Sequence, residues 1–289
     1  MKTCISTYSY SKLYEGGGFT RFDAIDQTKK FGCDGVEFVL SDETPDGTTP
    51  REHALALTER AHKVGLEVPI YTTGANFLTP DPEAEVERVC KHIDIAAECG
   101  IPTLRHDIGW KFFDGFPGVH TYKAVIDYVA PHIRKVAEYA AEKGVKTCSE
   151  NHGFLMQDSN RMLELFAAVN HPNYGWLCDM GNFQCADEDC GVAVSRLMDL
   201  IFHVHAKDNF IRSGMMYNPG RGYGRNRGGS YRRATIFGHG DVPTFQIMSA
   251  IKASGYDGYV SLEFEGIEEN IMALDIGIEN LKRMIADLA

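Results

Sequence analysis

Residues 125–153 read VIDYVAPHIRKVAEYAAEKGVKTCSENHG. Val125, Val129, Ile133, Val136 and Ala140 recur at spacings of three and four, which predicts a helix with one apolar face. Gly144 follows, where a left-handed helix terminus is expected. The chain then enters KTCSENHG (146–153), a β-rich run whose far end is polar. Helix, glycine, strand, polar strand end: the same unit recurs along the chain. DAIDQTKKFG, HALALTERAHKVG and AEVERVCKHIDIAAECG are helical patterns that stop at Gly32, Gly65 and Gly100. Strand-like runs lie at 4–10, 34–40, 67–74, 102–109, 146–153, 174–182, 201–208 and 259–266. Successive β-α units imply a parallel sheet. Eight of them close a (β/α)8 TIM barrel, whose usual size is about 250 residues. An open doubly wound sheet is the alternative, and the barrel is preferred. No linker or internal repeat interrupts the pattern, so residues 1–289 read as a single α/β domain.

The 289 residues are 44% hydrophobic and 24% charged, an ordinary globular composition. The net charge of −11 argues against general binding to nucleic acid or anionic membranes. The N-terminus has no apolar signal-like core, and no apolar run approaches the roughly 20 residues of a membrane span. Eight cysteines are scattered without a C-x-x-C pair, and Cys148 and Cys178 sit in apolar strand-like runs. Reduced, buried thiols in a cytoplasmic protein are the expectation.

In a TIM barrel the active site lies where strands end and βα loops begin. Strand five ends in Glu150 and His152, and strand six in Asp179 and Asn182. Strand seven carries His203, His205, Lys207 and Asp208, and strand eight carries Glu263 and Glu265. Residues two apart in a strand share a face. Four successive strands thus aim carboxylates and imidazoles at one mouth. Crowded carboxylates repel unless a cation joins them. Carboxylates plus one imidazole suit a divalent metal with open positions for substrate. Glu150, Asp179, His205 and Glu263 are the expected ligands, with Mn2+ placed first and Co2+, Mg2+ or Zn2+ as alternatives. Such a metal would stabilise the enediolate formed when a proton α to a carbonyl is removed.

SENHG, LCDMGN, FHVHAKD and GYDGYVSLEFEG resemble the last four strands of the sugar phosphate isomerase/epimerase family, a xylose isomerase-like TIM barrel. ISTYSYS and GCDGVEFV extend the likeness over nearly the whole chain. By resemblance to the ketose 3-epimerases, Glu150 and Glu263 would bind the metal and face each other across a sugar. One would remove a proton and the other would return it on the opposite face. The family's D-x-x-H is here Asp179-Met180-Gly181-Asn182, which leaves Asn182 as a hydrogen-bonding substrate contact that cannot titrate. Arg212 is a loose counterpart of the substrate arginine after strand seven. No three-metal histidine set of the endonuclease IV type is present. GSYRRATIFGHGDVP also resembles the catalytic subunits of C-glycoside deglycosidases, lyases that act on 3-keto glycosides with a partner subunit. In that reading His152 is the base. The first reading is therefore a metal-dependent isomerase or epimerase and the second a keto-glycoside lyase. An inactive sugar- or partner-binding barrel is a distant third. His106, Glu37 and Lys207 complete the expected substrate contacts.

Residues 212–240 hold six arginines and no acid. They follow strand seven, so they stand at the mouth as a long βα loop. Loops of this length are usually lids or contacts. An active-site lid or a subunit contact is expected, in a homo-oligomer or with a small partner subunit. A nucleic-acid role is not expected.

Overall fold

Helix starts are set by side chains that accept backbone N–H groups. Thr20 and Thr49 form reciprocal capping boxes with Asp23 and Glu52 at the heads of α2 (Arg21–Lys30) and α3 (Pro50–Lys63), which follow the short α1 (Ser11–Glu15). Asp81, Thr121, Asp158 and Asp189 accept the N–H three residues on, and so cap α4 (Pro82–Glu98), α5 (Tyr122–Glu142), α6 (Ser159–Val169) and α7 (Cys190–Leu197). Two further helices follow, α8 (Thr244–Ala253) and α9 (Asn270–Asp287). Gly32, Gly65, Gly100 and Gly144 have φ of 68°, 75°, 69° and 72°, the left-handed termini read from the sequence.

The computed structural model describes residues 1–288. Seven strands alternate with helices: β1 (Lys2–Ser6), β2 (Gly35–Val39), β3 (Tyr71–Thr73), β4 (Thr103–His106), β5 (Lys146–Glu150), β6 (Tyr174–Asp179) and β7 (Ile201–Ala206). An excursion of three short strands follows, β8 (Asp208–Arg212), β9 (Gly224–Arg225) and β10 (Tyr231–Thr235), before β11 (Tyr259–Leu262). The sheet closes in the order β1-β11-β7-β6-β5-β4-β3-β2, every neighbour parallel. This is the TIM barrel expected from the repeating unit.

The strands are shorter than the sequence runs, because polar groups at their ends draw the chain out of the ladder. Residues 7–10 form a 3-10 turn in place of strand. Ser9 Oγ holds that turn, donating to the Leu262 carbonyl at 3.1 Å and accepting from Phe264 N at 3.0 Å. Beneath the mouth, Ile70, Cys148 and Leu177 form a small apolar floor with Phe202 packed against it. Gly175 is required here, since a Cβ would lie 2.6 Å from the Phe202 ring. All eight cysteines are free. Among the described residues, no helix is long and apolar enough to cross a membrane.

The arginine-rich segment is not irregular. It folds as an antiparallel sheet in the order β8-β10-β9. Asp208 roots it, accepting the N–H groups of Asn209, Gly238, Gly240 and Val242 at 2.8–3.1 Å. Its far turn lies over the loops after β5 and β6. There Arg227 pairs with Asp158, and Asp187 accepts from Gly228 N and Ser230 Oγ.

Candidate metal centre at the barrel mouth

Asp179 closes β6. Its Oδ1 accepts the N–H groups of Gly181 and Asn182 at 2.8 and 2.9 Å, while its buried Oδ2 has no hydrogen-bond partner. His205, in β7, presents Nε2 to both oxygens of Glu37 at 3.0 and 2.9 Å. Its Nδ1 is buried and likewise without a partner. Glu150 ends β5, with one oxygen 2.8 Å from Asn182 Nδ2 and the other 2.8 Å from Arg105. Glu263 follows β11 and accepts from Lys207 Nζ at 2.8 Å. One ligand atom from each of Glu150, Asp179, His205 and Glu263 lies within 4.8 Å of the others. Buried polar atoms are rarely left unpaired. An unpaired carboxylate oxygen and an unpaired imidazole nitrogen, meeting two further carboxylates, fit a divalent first-row metal ion.

The electrostatics agree with that fit. Burial pushes the Asp179 carboxyl up to about 8; Lys207 opposes this, and the charges of Glu150 and Glu263 add to it. Burial works against ionisation of Glu263 too, but Lys207 and His205 hold it down at about 2. Burial disfavours the charged form of His205, yet Glu37 and Glu263 outweigh it and raise the imidazole to about 10. Carboxylates crowd here beyond what Arg105 and Lys207 neutralise, and a bound cation would relieve the repulsion.

Above the cluster opens a cavity of about 280 Å³, lined by Tyr8, Glu37, Thr72, Arg105, Asp107, Trp110, Glu150, His152, His205, Lys207, Glu263 and Glu265 among others. His152 stands at its edge, two residues beyond β5, with Nδ1 3.1 Å from Asp107 Oδ1. The Trp110 ring meets the imidazole edge-on at 5.0 Å. Burial pulls the His152 pKa down, but the Asp107 hydrogen bond and the charge of Glu150 prevail and raise it.

The structure thus brings together the four expected ligands, and it places Glu37, His152 and Lys207 in the cavity wall. Glu37 is turned onto His205 and His203, at 2.9 and 3.2 Å, so it orients imidazole in place of the expected substrate hydroxyl. Three expected substrate contacts lie elsewhere. His106 is fully buried on the outer face of β4, between the rings of Phe77 and Tyr174, because strand alternation turns Arg105 and Asp107 inward. Asn182 lies beneath the cavity and holds Glu150. Arg212 ends β8 with its guanidinium on the Ile211 carbonyl at 2.8 Å, away from the mouth. No described residue of 208–240 lines the cavity. Sequence reasoning missed Arg105, buried between Asp107 and Glu150 at 2.7 and 2.8 Å. The alternation of TLRHD held the signal, since Arg105 shares its face with Asp107. It also missed Asn151, which accepts from Asp179 N and donates to the Asp179 carbonyl.

Two solved structures show the same fold. The probable 3-DHS dehydratase of Bacillus anthracis has a TM-score of 0.72 at 19% identity, covering 98% of this chain and 99% of that one. D-allulose 3-epimerase from Methylomonas sp. has a TM-score of 0.72 at 16% identity, covering 98% of each chain. An uncharacterised protein of Methanocaldococcus jannaschii is 24% identical over 165 residues, 55% of this chain. The chain spans about half the length of that curated relative, 50%. The family profile described as xylose isomerase-like TIM barrel matches residues 25–284. With its closed eight-strand barrel and a match over nearly its full length, the chain belongs to the xylose isomerase-like TIM barrel family.

Proposed function

We propose that this protein is a divalent-metal-dependent enzyme that removes a proton α to the carbonyl of a sugar or sugar-like substrate, with isomerisation or epimerisation as the outcome. One observation carries the reading. The unpartnered Asp179 Oδ2 and His205 Nδ1 converge with Glu150 and Glu263 at the floor of a polar cavity. Glu150, Asp179, His205 and Glu263 would hold the ion, which when bound polarises the substrate carbonyl and offsets charge developing on its oxygen. Glu150 and Glu263 come from strands three places apart in the sheet, so they approach the cavity from different sides. One of the two enters as a carboxylate and takes the α-proton, and the electron pair moves into the carbonyl. The other enters as a carboxylic acid and gives its own proton to the opposite face, so the pair ends with the protonation states exchanged. Such a positioned base contributes roughly 10²–10⁴-fold.

A second reading, β-elimination from a keto-glycoside, is favoured by the His152–Asp107 pair. Asp107 holds the His152 ring, and the imidazole takes the α-proton while the leaving group departs from the neighbouring carbon.

In the cavity wall the two long cationic side chains are both engaged. Arg105 pairs with Asp107 and Glu150, and Lys207 with Glu263 and Glu265. The substrate is accordingly uncharged in this reading, since the charges of Arg105 and Lys207 are each already countered by two carboxylates. Exchange of substrate α-protons with D2O tests all three points, with unphosphorylated ketoses and ketose phosphates as probes. Glu150→Gln is expected to slow exchange by roughly 10²-fold or more. Exchange as fast as in the parent contradicts the assignment. Faster exchange with a ketose phosphate contradicts the uncharged substrate. Loss of a leaving group in place of exchange selects the elimination reading.

A further inference from the structure

Residues 212–222, RSGMMYNPGRG, are exposed from end to end. Met215 and Tyr217 are 98% and 96% exposed, and Met216 57%. Single exposed apolar residues are common, but three consecutive large ones at the tip of a projection mark a contact surface. The turn is ordered by its own bonds. Met216 N donates to the Ser213 carbonyl at 3.0 Å and Gly220 N to Asn218 Oδ1 at 2.9 Å. Gly214 lies so close to the Gly229 carbonyl that no side chain would fit there. The arm is basic, with Arg212, Arg221 and Arg225 exposed. Without the six arginines of 212–240, the rest of the chain carries −17.

Beside the barrel mouth, near β1 and β2, a second cavity of about 270 Å³ is walled by Tyr14, Phe19, Phe22 and Pro45. It takes no part in the site described above. Asp46 lies in the wall, bonded to Thr48 and to His53 of the same wall, and exposed Glu15 and Asp23 adjoin the wall residues Tyr14 and Phe22 in sequence, with Glu43 two residues before Pro45. The cation in the wall, Arg21, is turned away onto the Val39 carbonyl at 2.8 Å and the Tyr14 ring at 5.3 Å. An apolar cup with acidic neighbours thus complements an apolar tip flanked by arginines. Flexible methionines fill irregular pockets well, and opposite charges at the rim set partner choice and register.

We infer that the arm of one copy seats Met215, Met216 and Tyr217 in the Phe19–Phe22–Pro45 cavity of a second copy of this chain. In a two-fold dimer the contact is made twice, once in each direction.

Sedimentation of the purified full chain tests this, with a triple arm variant (Met215→Ser, Met216→Ser, Tyr217→Ser) and a cavity variant, Phe22→Ser. The parent is expected at twice the chain mass of 32.2 kDa. Each variant alone is expected to dissociate more readily, by roughly tenfold or more in Kd, with the far-ultraviolet circular dichroism of the parent retained. An equimolar mixture of the two variants has one intact arm facing one intact cavity, so it must associate more tightly than either alone. A monomeric parent, a dimer indifferent to the arm variant, or a mixture no tighter than its components overturns the proposal. None of these readouts depends on the chemistry at the barrel mouth.

Discussion

Asp179 is costly to bury as a carboxylate without a cation, because it is fully enclosed and Glu150 and Glu263 add repulsion that Lys207, 3.7 Å from Oδ2, offsets only in part. Its neutral isostere keeps the bonds from Gly181 N and Asn182 N and removes the repulsion. In metal-free protein, Asp179→Asn is therefore expected to leave the thermal midpoint unchanged or to raise it. A midpoint lowered by several degrees in the metal-free variant contradicts this account of the site. His106 gives a second test at this scale. Burial pushes its imidazole down to about 4, against the hydrogen bond to the Asp107 carbonyl. An unfolded histidine titrates near pH 6.5. Between these values the unfolded chain binds the extra proton, so stability falls as pH drops from about 6.5 toward 4, by at most about 3 kcal/mol from this residue. His106→Leu is expected to flatten that part of the stability-versus-pH curve, measured by urea unfolding, and equal slopes in parent and variant contradict it. Residues were legible in the sequence where type and strand parity agreed, as for Glu150, Asp179, His205 and Glu263. His106 looked functional by type, but parity turned it outward. Arg105 was hidden because Glu150 meets it only across the neighbouring strand, and its shared face with Asp107, two residues on, was the one local sign.

At the scale of elements, the excursion after β7 depends on one carboxylate. Asp208 accepts four backbone N–H groups, three of them from residues 238–242. Removing it leaves several enclosed donors unpaired, each worth roughly 1–3 kcal/mol. Asp208→Ala is expected to lower the thermal midpoint and to speed proteolysis within 212–240; a cleavage rate equal to the parent's contradicts the rooting role. The sequence concealed this sheet. Tyr231–Thr235 is half-buried with two arginines in five residues, and Gly224–Arg225 is exposed, so neither strand shows apolar alternation. The barrel strands were found because they alternate with helices ended by glycine. Their far ends were read too long because Ser9 and Asp179 redirect the backbone through bonds that only the folded chain makes.

Across the whole molecule, the parallel barrel explains why residues from 37 to 263 meet in one place: each strand delivers its last inward side chain to the same end. Repetition of one β-α unit made that architecture readable. The chemistry was readable only in part, since carboxylates and an imidazole at strand ends suggest a place for a cation but not the geometry of the substrate above it. The net charge of −11 is partly gathered at this mouth, where acidic groups outnumber Arg105 and Lys207. The proposed chemistry stands or falls on a cation held by Glu150, Asp179, His205 and Glu263. Elemental analysis of the purified protein, alongside Asp179→Asn and Glu263→Ala, tests it most directly. About one divalent ion per chain is expected in the parent, with that ion lost in both variants. A parent that takes up no divalent ion after reconstitution, or variants that retain it in full, would contradict the account.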